Sequence, residues 1–344
     1  MKTYDNIYSQ IWDFQNLLKS YYQARKNKSC KSYAIKVEWD FEKLLFQLRR
    51  ELEEEIYQPL PYYSFITHDP KERLIFVAPF RDRIVHHALH NVIEPLFDKG
   101  FAFDSYACRK HKGVHKAVLR VKSFMRSFNN NPFFVLKCDI KKYFNSLDRG
   151  ALKDLISRKI KDQKAINLIN KIIYSLPGDK GMPIGNLTSQ LFANVYLNAL
   201  DQFVKNTLKV KYYCRYVDDF VLLTSDKEQL KLWRQQINNF LNDMLKLNLH
   251  DDKQEIFPSK IGVDFLGYHI FKDHILMRQS TVRRCFRRLK NHKMDLNSYH
   301  SYLGHFALAD SFGLIRKLKE KYAYRYAGVS SNAPVCSLAL PHSQ

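Results

Sequence analysis

The run Cys214-Arg215-Tyr216-Val217-Asp218-Asp219-Phe220-Val221-Leu222-Leu223 governs the reading of everything around it. Two stretches of β-branched and aromatic residues flank an Asp pair, the pattern of a β-hairpin with both carboxylates at its tip. Adjacent Asp residues at a tight turn repel one another and gain nothing from packing. A bound cation would settle that repulsion, and Mg²⁺ is the usual partner of one or two carboxylates plus substrate phosphates. Asp also favours turns for ordinary backbone reasons, so the pair decides little by itself.

Upstream, Phe133-Phe134-Val135-Leu136-Lys137-Cys138-Asp139-Ile140 reads as a buried strand that ends on a carboxylate and runs into Lys141-Lys142-Tyr143-Phe144. A charged residue closing an apolar strand breaks the pattern, and broken patterns are where function is expected. Helices are expected over about 149–159 and 162–175. The Gly/Pro-rich loop Pro177-Gly178-Asp179-Lys180-Gly181-Met182-Pro183-Ile184-Gly185-Asn186 then opens a long helix from Leu187 to Leu208 and sets backbone N–H groups beside whatever the loop touches. Downstream, Lys227–Leu247 has helical spacing, 253–257 and 263–270 read as short strands, and three amphipathic helices follow from Thr281. The first of these carries Arg283, Arg284, Arg287, Arg288 and Lys290 with no acid among them. That face is either solvated or laid against a phosphate backbone.

Toward the N-terminus, one helix is expected from Ile7 to Lys19. A second runs from Trp39 to Ile56 on its apolar period and is stopped by Pro59 and Pro61. A turn around His68–Glu72, containing Lys71, feeds a strand that starts at Arg73. The following helix buries Ile84, Val85, Ala88, Leu89, Val92, Ile93 and Leu96; its histidines His86, His87 and His90 read as structural. The basic loop Ser105–Gly113, with Arg109, precedes a helix at Val114. It suits a phosphate or is simply solvated.

Lys and Arg outnumber Asp and Glu by 56 to 34, a net charge of +22, in a chain of 344 residues that is 45% hydrophobic. A foldable core with that excess points to a polyanion, nucleic acid first, with a membrane surface as the competing reading. No apolar run approaches the ~18 residues of a spanning helix, and MKTYDNIYSQIWDF lacks a signal-peptide core, so a cytoplasmic location is expected. The six cysteines are scattered without a C-x-x-C pair and read as reduced thiols. Cys108, His111 and His115 lack a fourth zinc ligand at sensible spacing.

Taken in order, Asp139 closing a strand, the Pro-x-Gly loop, Tyr-x-Asp-Asp, Lys253 and Phe265-Leu266-Gly267-Tyr268 resemble the right-hand polymerase core of reverse transcriptases over roughly residues 40–325. Intron-encoded members of that superfamily carry a Gln-Gly loop followed by Ser-Pro. Here Ile184-Gly185-Asn186-Leu187-Thr188-Ser189-Gln190 is similar instead to the enzymes of diversity-generating retroelements. The stretches Ala78–Leu89 and Leu191–Asn198 fit that group, as does a chain that ends soon after the thumb.

The resemblance implies an α+β fold with an N-terminal extension (1–38), fingers with the start of the palm (39–132), palm (133–270, with a fingers insertion about 149–180) and a helical thumb with tail (271–344). It implies that Asp139, Asp218 and Asp219, with the Ile140 carbonyl, hold two Mg²⁺ ions, for which Mn²⁺ substitutes. Arg73 and Lys71 would contact the incoming dNTP triphosphate, Phe144 would block a ribose 2′-OH, and Lys253 would approach the leaving pyrophosphate. Phe265–Tyr268 would form the primer grip. The loop from Ile184 and Gly185 to Gln190 would line the nucleotide, and an aliphatic Ile184 in place of Gln implies errors opposite template adenines. Arg109, Arg283, Arg284, Arg287 and Arg288 are candidate backbone contacts. The implied partners are a template RNA, its RNA–DNA duplex and a small basic, oligomeric accessory variability protein. A defence-associated reverse transcriptase would share every catalytic residue, and a non-catalytic RNA-binding scaffold is the rival from another class.

Overall fold

The computed structural model describes residues 2–27, 40–68 and 72–326; Trp39 and Lys71 lie outside these. The N-terminal helix is two helices, α1 (Tyr8–Trp12) and α2 (Phe14–Arg25), because the Asp13 carboxylate accepts hydrogen bonds from the Gln15 and Asn16 amides and restarts the chain. Next come α3 (Phe41–Glu53) and an antiparallel hairpin, β1 (Tyr63–Thr67) with β2 (Arg73–Val77). Helix α4 (Phe80–Asp98) packs against α2, and α5 (Val114–Arg126) follows it.

The central sheet is four-stranded and antiparallel, in the order β4 (Tyr212–Tyr216), β5 (Asp219–Thr224), β3 (Phe134–Ile140), β6 (Leu249–Pro258). Alternation puts Leu136, Cys138, Ile140, Phe220 and Leu222 on one fully buried face, in a core shared with Phe192, Tyr196 and Leu200. Those last three belong to α9 (Leu187–Gln202). Between β3 and α9 lie α6 (Tyr143–Ser146), α7 (Arg149–Ser157) and α8 (Gln163–Ile173), the last two capped by Asp148 and Asp162. After α9 the backbone does not stay α-helical to Leu208 as the sequence suggested. It widens into a π-helical turn over Phe203–Thr207. Helix α10 (Lys227–Leu245) covers the sheet.

The described residues within 1–120 and 130–258 form one compact unit. The second, 121–129 with the described residues from 259 on, contains the meander β7 (Val263–Phe265), β8 (Tyr268–Ile270) and β9 (Ile275–Met277). Its helices are α11 (Gln279–Lys290), α12 (Leu296–Phe306) and α13 (Phe312–Tyr326). Among the described residues no helix is long and apolar enough to cross a membrane.

Candidate active site

The acidic hairpin differs from its expected form in one respect. Only Val217 and Asp218 make the turn; Asp219 is the first residue of β5 and pairs in register with Tyr216 on one side and Asp139 on the other. Two strands therefore place Asp139 and Asp219 opposite each other, and the turn adds Asp218. The Asp218 carbonyl accepts the Ile140 amide at 3.3 Å, tying the turn to the end of β3. Val217 has φ 55°, a left-handed conformation that a β-branched residue adopts only under constraint. That constraint is visible: the Arg215 guanidinium donates to the Val217 carbonyl at 2.9 Å while gripping both oxygens of Asp201 at 2.7 and 2.6 Å. Tyr213 and Ser105 complete this buried network.

On the other side of β3 the pairing with β6 slips at Asp139. Cys138 faces Gln254, whereas Ile140 faces Leu249. Before that slip, the register of Lys137 with Glu255 and Cys138 with Gln254 runs on to set Lys253 beside Asp139, and its ammonium meets Asp139 Oδ2 at 2.7 Å. Asp218 is less fortunate. Burial first, then the like charges of Asp139 and Asp219, raise its pKa to about 6 against the opposing charge of Lys253. Carboxylates held together at this cost could be relieved by a bound cation. Among the described residues no group of three or more His, Cys, Asp or Glu side chains is arranged to hold a metal alone. Hard carboxylate oxygens that leave coordination to substrate phosphates still suit Mg²⁺.

The Gly/Pro loop is held from below by Arg149, a residue whose role the sequence did not disclose. Its buried guanidinium donates to the carbonyls of Gly181, Leu176 and Gly178. The loop then meets α6: the Gly181 amide donates to Leu147 and the Met182 amide to the Phe144 carbonyl. Phe144 is half-buried, its ring 5.4 Å from that of Tyr143. One step on, the Ile184 carbonyl accepts the Phe76 amide of β2 at 2.9 Å. Gly185 (φ 120°) passes so close to that strand that a Cβ would stand 2.6 Å from the Phe76 carbonyl oxygen, so only glycine fits. Asn186 anchors the exit through the Tyr62 hydroxyl at 2.7 Å. A cavity of about 330 Å³ between β2, α4 and this loop is lined by Ile75, Arg83, His86, Gly185 and Gln190.

Residues 67–270, more than half of the chain, match the family model described as reverse transcriptase (RNA-dependent DNA polymerase). The chain belongs to the reverse transcriptase family. Protein YkfC of Escherichia coli K12 is 28% identical over 268 residues, covering 65% of this chain and 70% of that protein. The group II intron-encoded protein LtrA of Lactococcus lactis subsp. cremoris is 25% identical over 321 residues, 71% of this chain and 51% of LtrA, so the chain spans about half the length of that relative. Among solved structures, apo telomerase from Candida tropicalis superposes with a TM-score of 0.52 at 15% identity, over 80% of this chain and 59% of that one. At that identity the likeness concerns the fold, a mixed helix-and-sheet polymerase with palm and fingers.

Within this reverse transcriptase the remaining candidates fall in different places. Arg73 is exposed at the start of β2, opposite Thr67. Lys71 lies outside the described residues. Arg109 is turned inward. Its guanidinium binds Asp98 at 2.6 Å and the carbonyls of Ala102 and Ser105, with the side chain only 9% exposed. It organises its own loop.

In the second unit, Leu266 and Gly267 form the two-residue turn between β7 and β8, both at positive φ, with Phe265 and Tyr268 buried on either side. The Tyr268 hydroxyl bonds to His305. Helix α11 buries Thr281, Cys285 and Leu289 and turns Arg283 and Arg287 to solvent; Arg284 and Arg288 are half-buried, Arg288 reaching the Lys293 carbonyl and Ser298. A buried stripe every fourth residue leaves Arg283 and Arg287 on the opposite arc and Arg284 and Arg288 at its edge.

Proposed function

We propose that the chain copies an RNA template into DNA with deliberate inaccuracy at adenines, as the reverse transcriptases of diversity-generating retroelements do. The observation that carries polymerisation is the Asp139–Asp219 pair across β3 and β5 with Asp218 in the adjoining turn. Asp139, Asp218 and Asp219, with the Ile140 carbonyl, would hold two Mg²⁺ ions or Mn²⁺ in their place. Bound there, such a pair lowers the pKa of the primer 3′-hydroxyl and neutralises the triphosphate. Arg73 and Lys71 bind that triphosphate. Phe144 excludes the ribose 2′-OH, and Lys253 leaves Asp139 to protonate the departing pyrophosphate. The turn Phe265-Leu266-Gly267-Tyr268 touches the primer, and Arg283, Arg284, Arg287 and Arg288 meet backbone phosphates. The net charge of +22 suits RNA and an RNA–DNA duplex. One solved telomerase of similar fold is complexed with a fragment of telomeric RNA. A small basic accessory protein completes the assembly on this reading, and the cytoplasm is its site.

The raised pKa of Asp218 gives this reading a pH signature. Between the ordinary carboxyl value of 3.8 and about 6 the folded chain holds the proton more tightly than the unfolded chain. Folding stability therefore declines as pH rises through that window, while the charged form needed to bind a cation appears only above it. Mn²⁺ binding, followed by the loss of free Mn²⁺ electron paramagnetic resonance signal, is expected to weaken as pH falls through about 6. A flat profile over pH 5–7 counts against Asp218 as a ligand.

Fidelity turns on Ile184. An apolar side chain offers the base pair no polar contact, and shape alone discriminates by only ~1–3 kcal/mol. Sequencing the products made on an adenine-rich RNA should show errors concentrated opposite adenine, reduced several-fold in Ile184→Gln. Accurate copying by the wild type would favour the second reading, an intron-type reverse transcriptase, to which the likeness to LtrA points.

A further inference from the structure

A second cavity, about 680 Å³, is lined by the end of α4, by α7, by α9 with its π-helical turn and by α10, and none of its lining residues belongs to the site above. Its volume is that of a small-molecule site. Phe203 and Phe240, stacked at 4.3 Å, form an aromatic wall. Asn198, Gln202 and Asn206 bond to one another along the helix, and Gln202 also reaches the Gly100 carbonyl. π-Helical turns are rare and recur at functional sites. This one places Phe203 and Asn206 on the cavity lining.

The decisive residue is Lys159. It lines the cavity at 8% exposure. Among the described residues its ammonium meets the face of Phe97, at 5.4 Å, and no carboxylate. Burial and then the like charge of Lys99 lower its pKa. Asp154 and Arg158, of opposite charge, are exposed lining residues. A buried ammonium without a counter-charge is costly unless an anion joins it. One such cation in a largely apolar cavity matches one negative charge on an apolar body.

We propose that this cavity binds a small amphiphilic carboxylate, its head paired with Lys159 and its apolar body laid against Phe203 and Phe240. The test is calorimetric titration of the full chain with 2-naphthoate and with its neutral counterpart 2-naphthamide. Naphthoate is expected to bind about tenfold more tightly, the scale of one charge-assisted hydrogen bond. Lys159→Met should erase that preference while keeping naphthamide binding and raising the melting temperature; Lys159→Arg should retain the preference. Equal affinities in the wild type, no saturable binding of either compound, or a preference that survives Lys159→Met would each overturn the proposal. The wild-type comparison decides even where a variant fails to fold.

Discussion

Replacing Asp218 with Asn is expected to abolish DNA synthesis and at the same time to stabilise the protein. Loss of one carboxylate from the proposed cation site should lower turnover on the order of 10³-fold or more, because charge on the reacting phosphoryl oxygens would then be left uncompensated. Stability should move the other way. Asp218 is held above its ordinary pKa by burial and by Asp139 and Asp219, so above pH 6 its charge works against folding. Removing that charge should add on the order of 1–2 kcal/mol at pH 7 without metal. Paired loss of activity and gain of melting temperature is the mark of a residue kept for function. An Asp218→Asn chain with near-normal extension rates would exclude Asp218 from catalysis.

The second large effect concerns the support beneath the hairpin. Asp201 is fully buried and accepts from Arg215 through both oxygens and from Tyr213. Burial works against the Arg215 charge, yet the charge and hydrogen bonds of Asp201 hold its pKa above the usual value. Asp201→Ala strands that guanidinium and should cost ~3–5 kcal/mol, read as a lower melting temperature or denaturant midpoint. It also loosens the arginine that fixes the Val217 carbonyl, so residual activity should fall beyond what reduced folding explains. Because buried pairs are often replaceable by apolar residues of similar volume, the double variant Asp201→Leu/Arg215→Met should recover most of the stability but not the activity. Destabilisation below about 1 kcal/mol in Asp201→Ala would show that the pair is not a support.

Much of this was legible in the sequence, and particular residues show why. Continuous apolar, β-branched and aromatic runs made β3 and the acidic hairpin readable, because an apolar strand rarely closes on an Asp unless the carboxylate has a use. The ordered motifs accordingly put Asp139, Asp218 and Asp219 in one site. The position of Asp219 inside β5 was not legible, since a turn's length depends on register, and register on partners far along the chain. The cross-strand placement of Lys253 beside Asp139 has the same origin.

Arginines were the least readable residues. Arg109, Arg149 and Arg215 look like surface cations in a chain of net charge +22, yet each is nearly or fully buried and committed to carbonyls or carboxylates. A planar guanidinium with five donors can organise a loop from within, and nothing local in the sequence marks such a use. Conversely, the helix break at Asp13 carried an ordinary signal: an Asp followed by helix formers is an N-cap.

The most direct measurement is extension of an annealed DNA primer by the purified chain with Mg²⁺ and dNTPs, on an RNA template and without it. The expected result is a complementary DNA product that requires the RNA and is absent in Asp218→Asn. Product of equal yield without the RNA, or synthesis undiminished in Asp218→Asn, would contradict RNA-directed polymerisation at Asp139, Asp218 and Asp219.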